Sequence, residues 1–422
     1  MYKKTVLDNG LRIVSHRMAQ RQSVALGIWI NVGGRYESNQ NKGIAHFLEH
    51  LLFKGSKKYS CRKLKESIEG VGGSLNGFTS EELSCYLVKI PANYFESGLD
   101  VLSDMVVNPT LPGSEIEKEK TVILEEIKMY KDQPQSYVYE LLDELLWPGQ
   151  PLGAPIIGTE GSVRQVKKEA LNLFKQKYYT PENIVVSVAG LIDHRKLSEA
   201  IKRHFASLKP KNKNTFLGAK EEQNIPRLKV FYKDTEQTHL ALGFHSFKRD
   251  HPLKHALGLL HIILGANMSS RLFHELREKR GLAYEIGTAA KRFQDTGSFI
   301  VHAGIDNRKV TDAIKLILRE LKKIRLNLVN KDEFRRAKEF YLGQLMLALE
   351  DTMDHMLWIG ETTTALDRTY SLQQIIREVN RVSREDIQGI ARYLFKEENL
   401  NLALIGPLKD REQKIYKHLQ IN

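Results

Sequence analysis

The sequence predicts an α+β protein made of two similar domains in tandem. Three observations carry that expectation. The chain has 422 residues, 41% of them hydrophobic, enough for more than one core. Strand-like alternation at Val24–Ile30 and again at His239–Phe244 is followed each time by long helical patterns. An internal similarity then divides the chain. Val163-Arg164-Gln165-Val166, with Asn183–Gly190 after it, recurs as Ile376-Arg377-Glu378-Val379 with Asn399–Gly406. Asn183 to Asn399 and Gly190 to Gly406 are both offset by 216 residues. In each copy a helix pattern leads into a strand ending in Gly, which indicates a duplicated α+β domain rather than a short-period solenoid. Lys209-Pro210-Lys211-Asn212-Lys213-Asn214 and the polar stretch to Ile225 read as an exposed connection. The expected division is 1–208, a linker at 209–225, and 226–422.

Chemistry concentrates in the first half. Gly43–Phe53 reads as an apolar helix carrying His46-Phe47-Leu48-Glu49-His50. Residues four apart on a helix lie about 5–6 Å apart at Cβ, so His46 and His50 can converge on one ion. Zinc suits paired imidazoles, and Glu49 is placed to take a proton from a water activated there. The order H-x-x-E-H is the inverse of the familiar H-E-x-x-H peptidase helix. Five residues alone also fit two histidines and a glutamate at the edge of a packed helix.

A catalytic zinc ordinarily takes three protein ligands and leaves a fourth position for water. The third is expected on Glu115–Tyr130, a helical pattern with Ser114 as its expected N-cap. Lys118, Thr121, Glu125 and Lys128 form a polar stripe, which leaves Glu125 solvated. Glu119, Val122, Glu126, Met129 and Tyr130 form the other, mixing carboxylates into an apolar face. Buried carboxylates require a cation or strong donors. Glu126 is therefore the expected third ligand, with Glu119 either supporting the site from behind or serving as an alternative ligand. Pairing of Glu119 and Glu126 with Lys or Arg is the competing explanation.

With these residues in place the chain resembles the pitrilysin-type inverzincin metallopeptidases. Within them it is similar to the short subgroup that includes the mitochondrial processing peptidase β subunit and its bacterial homologues. Leu7-Asp8-Asn9-Gly10-Leu11, Gly33-Gly34-Arg35-Tyr36-Glu37, Phe53-Lys54-Gly55 and Gly72-Gly73-Ser74-Leu75-Asn76-Gly77-Phe78-Thr79 extend the resemblance. It implies one Zn²⁺ per chain on His46, His50 and Glu126, with Glu49 as general base. It implies two mainly antiparallel α+β domains closing on each other like a clamshell. Substrates would be extended or unfolded peptides, paired to an edge strand at Asn76, Gly77 and Phe78. Gly77 departs from the Ala that the family often has there. Without the resemblance, Gly72, Gly73 and Gly77 would read as shaping a turn.

The second half lacks an equivalent metal motif. Leu259–Leu264 holds one histidine, His261, with no acidic partner, and reads as a core residue. Ser270–Tyr284 resembles the family's Arg/Tyr element instead, which implies that Arg277 and Tyr284 bind the substrate backbone and stabilise the oxyanion. Taken alone, these two residues read as a surface helix position and a packed strand position. The mitochondrial relative selects Arg with two acidic residues; the matching places here hold Ser136 and Glu140. A mild preference for basic residues near the cut is expected, if Glu140 is more than a solvated helix residue.

Composition excludes more than it assigns. Lys and Arg outnumber Asp and Glu 64 to 51, for a formal charge of +13. The charge is dispersed, apart from a small cluster at Lys209–Lys213, so no nucleic-acid partner is expected. Cys61 and Cys85 make no disulfide framework and fit a reducing compartment. The start of the chain has no signal-peptide core, and no apolar run approaches a membrane span. The expectation is a bacterial-type cytoplasmic zinc endopeptidase, paired as a homodimer and with no membrane partner. The alternative is a non-catalytic scaffold or partner subunit of a processing-peptidase-like complex.

Overall fold

The computed structural model describes residues 2–211 and 215–421. Its chain resolves into two compact units. The first comprises 1–128, 155–217 and 346–372; the second comprises 129–154, 218–345 and 373–422. One passage between units, Leu217 to Gly218, falls within the segment read as a linker. Asn212, Lys213 and Asn214 of that segment lie outside the described residues.

The first unit holds a sheet of six strands among the described residues. These are β1 (Tyr2–Val6), β2 (Arg12–Arg17), β3 (Ser23–Ile30), β4 (Ser74–Thr79), β5 (Ser84–Pro91) and β6 (Ile184–Gly190), ordered β1-β2-β6-β3-β5-β4. The second unit's sheet has β7 (Arg227–Tyr232), β8 (Gln237–Ser246), β9 (Ala283–Arg292), β10 (Gly297–Asp306) and β11 (Asn401–Gly406), ordered β7-β11-β8-β10-β9. Apart from β1, the two orders are the same when β2 is matched to β7, β6 to β11 and β4 to β9. In both sheets the parallel pair is the equivalent one, β2 with β6 and β7 with β11; the other neighbours run antiparallel. The duplication expected from the 216-residue offset is therefore present in the topology, and the fold is α+β as expected.

Strand alternation sets the packing. In the first unit Val24, Leu26 and Ile28 alternate with Ala25 and Trp29, and both sets are buried. The Phe95–Val107 helix covers one face, where the backbone of Gly98 approaches Val88 and Ile90. The other face, with Val14, Ala25, Trp29, Cys85, Val185 and Ala189, is covered by Met356 and Ile359 of the Thr352–Leu366 helix. In the second unit, Ala241, Ile300, Ala403 and Ile405 are covered by Val138, Leu141 and Leu142 of the Pro134–Leu146 helix.

Each sheet is thus covered by a helix from the opposite half of the chain. Equivalent glycines make room for it. A Cβ on Gly27 of β3 would lie 2.5 Å from Met356 Sδ, and one on Gly243 of β8 would lie 2.9 Å from Leu142 Cδ2. The two glycines are themselves 216 residues apart.

Candidate metal centre

The motif helix spans Ile44–Leu52. Ile44, Phe47, Leu48, Leu51 and Leu52 are buried and hold it in the core. Its start is capped from a distance by a side chain. Glu37 accepts from Gly43 N at 2.7 Å and from Ala45 N at 2.8 Å, occupying donors that a helix N-terminus otherwise leaves open. Burial pushes the Glu37 carboxyl up to about 8, against the pull of those two N–H groups. Gly43 takes φ 85°, and a Cβ there would lie 2.6 Å from Ile157 O, so the entry turn requires glycine.

The carboxylate helix spans Gly113–Asp132. It begins one residue before Ser114, which is therefore not its N-cap; Pro112 O accepts from Glu115 N and Ile116 N instead. Its buried stripe also differs from the expected one. Ile116, Ile123, Leu124 and Ile127 are buried with Glu119, whereas Val122 and Met129 are about half exposed. The apolar face is turned toward the isoleucines, and Glu119 and Glu126 flank it. Glu125 is exposed and pairs with Lys128, as its stripe implied.

His46, His50 and Glu126 converge: their ligand atoms lie within 4.8 Å of one another. Glu126 Oε2 is 3.8 Å from His46 Nε2 and 3.6 Å from His50 Nε2. Tetrahedral ligands at zinc bond lengths of about 2.0–2.1 Å stand roughly 3.3–3.4 Å apart, so the Glu126 spacings are a few tenths of an ångström wider than that ion needs and a small side-chain shift closes the set on it. Burial, and then the charge of His50, lowers His46 to about 3 and keeps its ring neutral, the form that coordinates metals. His46 Nδ1 is buried with no hydrogen-bond partner. His50 is supported from behind. Its Nδ1 lies 3.0 Å from Glu119 Oε2, while Glu119 Oε1 pairs with Lys54 Nζ at 2.5 Å. With Nδ1–H donating to Glu119, the Nε2 lone pair faces Glu126.

Glu49 is buried beside this cluster. One of its oxygens accepts from Thr79 Oγ1 at 2.5 Å. Burial raises its pKa, Thr79 and His50 act against that, and Glu126 adds to it. Thr79 ends β4, which is bonded on one side to β5 and, among the described residues, has its other edge open. On that strand Asn76 Oδ1 accepts from Gly77 N at 2.8 Å, and Phe78 stacks edge-on with Trp29 at 5.7 Å. A Cβ at Gly77 would lie 3.0 Å from Phe53 Cζ, a tight contact to which the ring edge would have to give way by a few tenths of an ångström.

The other expected residues lie in the second unit. Arg277 occupies a π-helical turn, Phe273–Glu278, with its guanidinium 4.9 Å from the Phe273 ring centroid and 5.1 Å from that of Tyr284. The structure brings Arg277 and Tyr284 together, with Tyr284 exposed at the start of β9. Glu140 lies on the Pro134–Leu146 helix, as does Ser136; burial, then Asp143, raises Glu140 to about 7. His261 is partly buried, its Nδ1 2.7 Å from Thr288 Oγ1, as suits a satisfied structural histidine.

Residues 12–160 match "Insulinase (Peptidase family M16)" and residues 165–341 match "Peptidase M16 inactive domain". Over 407 residues the chain is 37% identical to a Bacillus subtilis protein named "Uncharacterized zinc protease YmxG", covering 96% of this chain and 98% of that one. The chain belongs to peptidase family M16. A Rickettsia felis M16 relative, also named a zinc protease, is 34% identical over 402 residues, 95% of this chain and 96% of that one. Among solved structures, a protease from Helicobacter pylori superposes with TM-score 0.89 at 24% identity, over 96% of this chain and all of that one. A Pseudomonas fluorescens structure described as a peptidase M16 inactive domain gives 0.89 at 18% identity, over 96% and 98%. At these identities the structural likeness establishes the tandem M16 fold.

Three residues at the M16 site escaped the sequence reading: Glu37, Lys54 and Thr79. All three stand inside segments already noted for their resemblance, but nothing in one sequence assigns them partners. Thr79 carried no signal beyond its place at the end of the Asn76 segment. Among the described residues, the metal-capable cluster is in the first unit.

Proposed function

We propose that this chain is a zinc metalloendopeptidase acting on extended or unfolded peptides. The observation that carries the reading is the convergence of His46, His50 and Glu126 beside the buried carboxylate of Glu49. Bound by those three residues, a zinc ion would supply Lewis acidity and lower the pKa of a water. Glu49 accepts a proton from the attacking water and returns it to the departing amine. The open edge of β4, at Asn76, Gly77 and Phe78, offers backbone groups on which a peptide can add as a further strand. The resemblance assigns Arg277 and Tyr284 to the substrate backbone and the oxyanion, and their shared surface supports a joint role.

Glu140 is assigned a mild preference for basic residues, strengthening as the pH rises through about 7 and its carboxyl ionises. A homodimer in a reducing compartment completes the reading; the cysteines Cys61 and Cys85 are free. Among the described residues no helix is long and apolar enough to cross a membrane.

The test is cleavage of a quenched basic peptide by wild type and Glu49→Gln, with bound zinc measured in both. Wild type should cleave, and Glu49→Gln should retain one zinc per chain but lose about 10²–10⁴ in rate. Full activity in the variant would exclude this mechanism; zinc without cleavage across a broad peptide library would favour a scaffold. The cut sites read out Glu140, since no enrichment of Arg or Lys removes its role. Light scattering that gives a monomer removes the dimer.

A further inference from the structure

We propose that Thr79 is a positioning residue for the general base, tying the Glu49 carboxylate to the edge strand on which the peptide is laid. The inference rests on the peptidase reading above and adds a residue to it. A glutamate carboxylate at the end of three rotatable bonds needs a fixed donor to hold one orientation. Among the described residues, that donor is the Thr79 hydroxyl, 2.5 Å from Glu49 Oε2. Glu49 lies on the motif helix and Thr79 on β4, 30 positions later, so the bond joins two separate elements.

Three features make Thr79 suited to this. Its β-branched side chain is stiff at χ1, so the hydroxyl follows the β4 backbone rather than moving freely. Its backbone is held by pairing with Ser84 of β5, while the outer edge of β4 stays open. The bond engages only one carboxylate oxygen. Glu49 Oε1 has no hydrogen-bond donor within the described residues, yet it is not among the sealed, unpartnered atoms of the structure. The hydroxyl makes Oε2 the weaker proton acceptor, leaving Oε1 to receive the proton from water. A peptide added to the β4 edge would further immobilise the strand, and with it the base.

The experiment compares Thr79→Val, which keeps shape and removes the hydroxyl, with Thr79→Ser, which keeps the hydroxyl. Thr79→Val should lower kcat about 10–100-fold, the usual worth of one hydrogen bond to a charged group. KM, zinc content and melting temperature should change little, and Thr79→Ser should recover most of kcat. Calorimetric binding of an uncleaved peptide in the Glu49→Gln background should be the same with and without Thr79→Val, because positioning acts on the base and not on affinity. Thr79→Val at full kcat beside an active wild type overturns this assignment alone. An equal loss in the Val and Ser variants, accompanied by lost zinc or a lowered melting temperature, makes Thr79 structural and also overturns it. A zinc-loaded wild type that cleaves nothing overturns the peptidase reading and this one together.

Discussion

Glu119 connects His50 to Lys54, and it does so almost fully buried. Its carboxylate accepts from His50 Nδ1, which sets the tautomer that aims Nε2 toward Glu126. Removing Glu119 frees the His50 ring and leaves the Lys54 ammonium facing a site meant for a cation. Glu119→Ala should therefore weaken zinc binding about 10–100-fold, the usual effect of losing the group behind a metal-bound histidine. Competition with a chelator measures it, and unchanged zinc affinity would remove Glu119 from the site. At this scale the sequence was informative where chemistry is local. His46, Glu49 and His50 share one helical turn, and Glu119 and Glu126 stand two turns apart on one helix. It was silent where partners come from separate segments. Thr79 and Glu37 are ordinary residues until the fold sets one against Glu49 and the other under the start of the motif helix.

Elements show a similar limit. The strands read from alternation are present as β3 and β8, and the repeated segments end in β6 and β11. The π-helical turn at Arg277 was not legible, because one extra residue per turn leaves no periodic trace over six residues. Nor was the role of the small residues in the covering helices. A Cβ on Gly360 of the Thr352–Leu366 helix would lie 2.1 Å from Trp29 Nε1 and 2.5 Å from Ser187 Oγ. Those two atoms are bonded to each other at 2.8 Å inside the core and have nowhere to move. Gly243→Ala instead meets the end of Leu142, a side chain with other rotamers. Overpacking of this kind costs about 1–3 kcal/mol, so Gly360→Ala should sit at or above about 3 and Gly243→Ala near about 1. Denaturant unfolding of the two variants checks the order. A Gly360→Ala protein as stable as wild type would mean that the Thr352–Leu366 helix is not seated as described.

For the whole molecule, the duplication was legible but the helix exchange was not. An amphipathic pattern shows that a helix has an apolar face; it does not show which of two similar sheets that face covers. Yet the exchange decides what can fold alone. A fragment of residues 1–217 contains every candidate metal ligand and the whole six-stranded sheet, but lacks the Thr352–Leu366 helix. Its sheet would expose Val14, Trp29, Leu83 and Val185, and lose Met356 and Ile359 against them. Burial of each such aliphatic side chain is worth roughly 1.5–3 kcal/mol. The sum is comparable with the ~5–15 kcal/mol that holds a domain folded. The fragment would also carry Val138, Leu141, Leu142 and Trp147 without the sheet they pack on. Residues 1–217 expressed alone should therefore give no cooperative thermal transition and should bind a hydrophobic dye. Co-expression with 218–422 should restore both folding and zinc binding, because each half carries the helix that the other half's sheet requires. A cooperative melt by the isolated fragment would show instead that the exchanged helix is dispensable, and that the first half is a domain in its own right.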